Sequence, residues 1–173
     1  MEKNLKILTI ANKKEEKFLR QKTSDFDFKK FSKKEVRDLI KKMRHEMLKA
    51  KGIGLSANQV GYDFKMFVAG LPVENGPMKF FYVFNPTLEK ISKEKAITEE
   101  GCLSVPGMFG GVGRSEKVVI LGQDKNGKNI KIEAKGLLAR VFQHEIDHLN
   151  GILFIDKAKH LFKAIEGENK PRI

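Results

Sequence analysis

At 173 residues, 40% hydrophobic and 32% charged, the chain is long enough for one domain with a buried core. It holds no run of about 18 apolar residues for a membrane span. Its single cysteine excludes an internal disulfide, and Met1-Glu2-Lys3-Asn4 opens without a signal-peptide pattern. The expected compartment is therefore a reducing cytosol, or an organelle if the sequence is a trimmed piece. The net charge of +12 is uneven. Residues 1–51 carry 17 Lys/Arg against 8 Asp/Glu, residues 52–156 carry 12 of each, and residues 157–173 carry 5 against 2. Basic ends of this kind serve solubility, or salt-sensitive contact with an acidic partner such as RNA. They give no sign of specific DNA binding.

Taken in chain order, Ser32-Lys33-Lys34-Glu35 reads as a capping box that opens a helix. Val36, Leu39, Ile40, Met43, Met47 and Leu48 recur at helical spacing, and Gly52 is the predicted stop. After Gly61 the period changes. Lys65–Ala69 and Phe80–Phe84 are rich in β-formers. Residues 117–121 and 129–133 flank Asn126-Gly127, a hairpin turn signal. Gly107–Gly111 is glycine-rich and reads as a mobile segment. A helical pattern returns from Leu137 to Asn150. A short strand over Ile152-Leu153-Phe154 and a last helix from about Asp156 to Ile165 are expected to follow. Strands with hairpin connections grouped between helices predict an α+β fold with mainly antiparallel sheet. The division is a basic helical region 1–51, a motif-bearing core 52–156 and a basic helix or tail 157–173, all within a single domain 1–173.

The chemistry concentrates in Gln143-His144-Glu145-Ile146-Asp147-His148. Residues i and i+4 share a helix face, so both imidazoles can reach one metal ion with Glu145 beside them. Two histidines and a glutamate so spaced mark a metal site that hydrolyses an amide bond. Such a site needs a third protein ligand and one open position. Downstream only His160 follows closely; the other soft ligand is Cys102, in Glu99-Glu100-Gly101-Cys102-Leu103-Ser104. His45 and His160 read as surface residues.

A third segment, Gly52-Ile53-Gly54-Leu55-Ser56-Ala57-Asn58-Gln59, precedes both. The order and content of the three segments resemble the peptide deformylase family, with motifs near G-x-G-L-A-A-x-Q, E-G-C-L-S and H-E-x-D-H. The likeness is dense from Lys51 to Asp156. It implies a central helix carrying the histidines, packed between small sheets. It implies Cys102, His144 and His148 as ligands of one divalent metal, usually Fe(II), with Zn, Ni or Co able to occupy the same ligands. Metal-activated water would attack the formyl group of an N-formylmethionyl nascent peptide, and Glu145 would act as general base and then acid. The Gln59 side chain and Leu103 backbone N–H would stabilise the oxyanion. The peptide would lie along Gly54 as an added strand, its methionine in a pocket lined by Ile53, Leu137 and Val141. Asp147 would support the site from outside, with Arg114 as its partner. The basic ends are candidates for ribosome contact; no membrane partner is expected.

The chain departs from the family pattern at Ser56, which replaces a common alanine and adds a hydroxyl that needs a partner if buried. Its N-terminal segment also lacks the family's proline, and the short stretch beyond His148 leaves a long docking helix in doubt. Two rivals stay open: another metal-dependent amidase or peptidase, and a non-catalytic homologue that binds nascent chains or RNA.

Overall fold

A strand buried on both faces reads as a continuous apolar run rather than an alternating one. Met66-Phe67-Val68-Ala69 is such a run, and in the computed structural model all four side chains are wholly buried. The structure describes residues 5–73, 76–164 and 172–173. Its helices are α1 (Lys13–Leu19), α2 (Lys33–Lys49) and α3 (Gly136–Leu149). Its strands are β1 (Gly54–Ser56), β2 (Met66–Val73), β3 (Gly76–Ile91), β4 (Lys95–Cys102), β5 (Val105–Ser115), β6 (Lys117–Gln123), β7 (Asn129–Lys135) and β8 (Leu161–Lys163). They form an antiparallel sheet in the order β1-β2-β3-β6-β7 and a smaller one in the order β4-β5-β8. This is the expected α+β fold, and α3 carries His144 and His148.

The alternation along β2 explains the layering. Met66 and Val68 face the α2 side and pack with Val36, Met43 and Met47. Phe67 and Ala69 face the other side and pack with Val141, Phe142 and Ile146 of α3. β1 divides the same way, since Leu55 joins the α2 cluster while Gly54 backs onto α3. Under the second sheet, Cys102, Val105 and Val112 pack with Leu153 and Phe154. Among the described residues, no helix is long and apolar enough to cross a membrane.

Local signals were followed closely in α2. Ser32 Oγ accepts from the Glu35 N–H (3.2 Å), while Glu35 accepts from the Ser32 N–H (2.7 Å). The predicted apolar stripe is buried except Leu48, which is 41% exposed. The stop falls one residue early. Lys51, not Gly52, takes the left-handed conformation (φ 56°), and Gly52 N–H reaches back to the Met47 carbonyl (2.9 Å). Gly52 is instead the position of close approach, because a Cβ there would stand 2.7 Å from Leu103 Cδ1.

Three other expectations change. Gly107–Gly111 lies within β5, paired with β4 on one side and β8 on the other, and Phe109 is buried. Ile152–Phe154 is not a strand. Leu153 precedes a 3-10 turn, Phe154–Asp156, that turns the chain under the second sheet. The last helix is replaced, up to the limit of the described stretch at Ala164, by β8; Ile165 lies outside the described residues. The β6–β7 turn is a five-residue loop closed by Asp124, whose Oδ1 accepts from the Asn126 and Lys128 N–H groups, with Gly127 at φ 79°.

A residue other than Gly at φ 56° is strained by its Cβ. Lys51→Gly is therefore expected to raise unfolding stability by about 0.5–1 kcal/mol in urea titration, with Lys51→Ala neutral.

Candidate metal centre

The His144 and His148 rings leave α3 on one face, with their Nε2 atoms 3.1 Å apart. Cys102, at the end of β4, places Sγ 3.1 Å from His148 Nε2. The three donor atoms lie within 4.8 Å of one another and all three residues are buried. Burial raises the Cys102 thiol pKa and lowers both histidine pKa values, so each group is driven toward its neutral form. A sulfur and two imidazole nitrogens that converge on one buried point are a donor set that fits a divalent ion. His148 Nε2 is the nitrogen that faces the other two donors, while its Nδ1 is buried with no hydrogen-bond partner among the described residues.

The orientation of His144 comes from Glu100. Its Oε2 lies 2.9 Å from His144 Nδ1. Burial raises the Glu100 pKa, but hydrogen bonds from His144 and Arg114 outweigh it and hold the carboxyl below the usual carboxylate range. An ionised Glu100 makes Nδ1 the protonated nitrogen and leaves the Nε2 lone pair toward the site. Arg114 grips Glu100 with two hydrogen bonds of 2.9 Å, and Arg140 adds one of 2.7 Å. Arg114 also reaches Asp147, the expected pair, and Lys157 Nζ joins that carboxylate at 2.6 Å.

Opposite the sulfur stands Gln59, in a 3-10 turn (Ala57–Val60). The Ser56 N–H donates to its Oε1 (2.9 Å), which fixes the amide orientation. Nε2 must then face the site; it lies 3.6 Å from Cys102 Sγ and donates to Ser104 Oγ (3.1 Å). The buried Ser56 hydroxyl has partners in Asn58 Oδ1 (2.8 Å) and Gln59 Oε1 (2.9 Å). The turn is tied to α3 by Asn58 Nδ2, which donates to the His148 carbonyl (2.6 Å). It is tied to the N-terminal segment by Leu8 N–H, which donates to the Gln59 carbonyl (2.7 Å). Leu103 lies in the turn between β4 and β5, directly after Cys102.

Glu145 is wholly buried, and among the described residues neither carboxylate oxygen has a hydrogen-bond partner of ordinary geometry, although the Ser56 hydroxyl is near enough to act on it. Burial raises its pKa well above the usual range, with Ser56 and Arg114 opposing. It lies against the backbone of Gly54, where any Cβ would overlap its Oε1. Ile53 and Val141 are buried in one cluster; Leu137 is 48% exposed. Ile53 and Leu137 line a cavity of about 260 Å³ beside Arg140. His45 and His160 are exposed.

Sequence reasoning missed Glu100, Arg140 and Ser104. For Arg140 a signal existed, since it precedes His144 by four residues on the same helix face. For Glu100 it lay two residues before Cys102, but only an extended β4 gives that spacing meaning.

The sequence profile of the family described as Polypeptide deformylase matches residues 5–164. Peptide deformylase 2 of Gloeobacter violaceus is 44% identical over 126 residues, covering 73% of this chain and 67% of that protein. The peptide deformylase of Prochlorococcus marinus is 46% identical over 125 residues, 72% of this chain and 62% of that protein. The match therefore spans about two thirds of these relatives' length. Among solved structures, a probable peptide deformylase from synechococcus phage S-SSM7 superposes with a TM-score of 0.80 at 41% identity, covering 88% of this chain and 99% of that one. The Met-Ala-Ser-bound class I type b peptide deformylase from Acinetobacter baumannii gives 0.81 at 28% identity, covering 91% and 99%.

Glu100 titrates below its unfolded-chain value of 4.5, so its stabilisation is complete above that pH and is lost as pH falls. Glu100→Gln should therefore cost about 3 kcal/mol in urea unfolding at pH 7, and the gap from the parent should narrow toward pH 3. A gap that does not change with pH would contradict the ionised clamp. Gly54→Ala should displace Glu145, leaving metal content intact while lowering turnover at least about 100-fold.

Proposed function

The chain belongs to the peptide deformylase family, and on that premise we propose that it is a metal-dependent hydrolase that removes formyl from the initiator methionine of nascent polypeptides. The observation that carries the reading is the convergence of Cys102, His144 and His148 on one point, with the Gln59 amide beside the sulfur and the Glu145 carboxyl near enough for its charge to act on Cys102. Cys102, His144 and His148 would hold the divalent ion, Fe(II) natively, with Zn, Ni and Co as substitutes. When bound, such an ion acts as a Lewis acid and lowers the pKa of water to near neutrality.

The residues of the chain do the rest. Glu145 takes a proton from the attacking water as its oxygen bonds to the formyl carbon. The formyl oxygen gains negative charge, which the Gln59 Nε2–H and the Leu103 N–H stabilise. Glu145 then gives the proton to the departing nitrogen, the C–N bond breaks, and formate and a free α-amine leave. Burial pushes the Glu145 pKa up, which makes its carboxylate a stronger base toward that proton than an exposed one would be. Asp147 and Arg114 act from behind the ligands, through Glu100.

The substrate peptide would add along Ile53 and Gly54 at the edge of β1 away from β2, where among the described residues no named strand pairs with it. Its methionine would enter between Ile53, Leu137 and Val141. The solved A. baumannii relative that holds Met-Ala-Ser supports a methionine-first peptide. Crowding beside the ligands would admit formyl and exclude acetyl. The whole chain would serve as one catalytic domain in the cytosol, its basic ends available to ribosomal RNA.

Protein prepared without oxygen and loaded with Fe(II) or Ni(II) should release formate from formyl-Met-Ala-Ser. Glu145→Ala should lose about 10²–10⁴-fold in kcat while still binding metal. No formate with Fe(II), Ni(II), Co(II) or Zn(II), from folded and metal-loaded protein, would refute the assignment.

A further inference from the structure

Arg172 and Ile173 lie in the groove just assigned to the substrate. Arg172 pairs with Gly52 in an isolated parallel bridge. The Ile53 N–H donates to the Arg172 carbonyl (2.9 Å), and the Ile173 N–H donates to the Gly101 carbonyl (3.1 Å). One dipeptide thus spans the two sheets. It is held on one side at the entry to β1 and on the other one residue before Cys102.

The side chain completes the likeness to a bound peptide. Ile173 is 4% exposed and belongs to the apolar cluster that contains Ile53 and Val141. It also lines the cavity bounded by Leu137 and Arg140. Strand addition needs free backbone donors and acceptors on an edge, together with a pocket for an alternate side chain. The segment uses both. A peptide bound there would compete for the Ile53 N–H, for the Gly101 carbonyl and for the same apolar surface.

We propose that Arg172–Ile173 is an intramolecular occupant of the peptide groove, a tethered competitor that substrate must displace. This inference rests on the groove reading above. A tethered ligand acts at a high effective concentration, so modest contacts suffice to close the groove. Competition of this kind raises KM and leaves kcat unchanged.

The test uses the full chain carrying Ile173→Asp, which removes the apolar anchor. A second variant, Ile173→Pro, removes only the N–H that reaches Gly101. Both should lower KM for a formyl-Met peptide, by about tenfold for Ile173→Asp, equivalent to ~1.4 kcal/mol, at unchanged kcat. Amide exchange at Ile53 should accelerate in both, and a labelled peptide of residues 169–173 should bind Ile173→Asp more tightly than the parent. Unchanged or raised KM with unchanged Ile53 exchange would overturn the proposal and leave the segment a structural brace. If neither parent nor variants release formate, the deformylase reading fails. The exchange and peptide-binding measurements then still decide whether the segment occupies the groove.

Discussion

One buried carboxylate organises the site. Glu100 comes from β4, Arg114 from β5, and Arg140 and His144 from α3, and all four side chains meet out of water. A carboxylate that deep is tolerated only when its charge and lone pairs are met. Two guanidiniums and one imidazole meet them here. The same contacts lock the small sheet onto the helix, so the spacing between Cys102 and the histidines is inherited from a charge-neutralising clamp. Arg140 extends the clamp to the Val112 and Ala96 carbonyls of the β4–β5 ladder.

Around that clamp, small residues control how close the working groups come. Gly54 lets β1 lie on Glu145, and Gly52 lets the chain pass Leu103. Ser56 turns its backbone N–H and hydroxyl to Gln59, so the amide presents only donors to the sulfur. The serine hydroxyl, buried here, is thus accommodated by a glutamine whose orientation the Ser56 N–H already sets. The site is preorganised by packing and hydrogen bonding through three separate segments.

Much of this was legible in the sequence because it is local. The α2 capping box and stripe, the α3 face and the two β-rich runs follow from spacing alone. What was not legible depends on partners far along the chain. Gly107–Gly111 has no β-propensity to speak of, yet lies flat between β4 and β8 because small residues let both neighbours approach. Leu161–Lys163 reads as helix by composition and becomes a strand because β5 offers an open edge. Glu99 and Glu100 are equivalent as letters; only the pleat of β4 turns one inward. The ligands, and the Asp147–Arg114 pair behind them, could be picked out once three motifs were set in order, whereas Glu100, which joins Arg114 to His144, could not.

The long separation of the parts also governs when they can come together. Gln59, Cys102 and His148 stand 43 and 46 residues apart in the chain, and Asn58 anchors to the carbonyl of His148 itself. During synthesis from the N-terminus, the first two thirds of the molecule therefore emerge with Cys102 exposed and without its companions. Neither the clamp nor the ligand cluster can close until α3 has left the exit tunnel. Acquisition of an ion by this cluster is thereby placed after the synthesis of α3, once the thiol has spent the intervening seconds open to whatever the compartment contains.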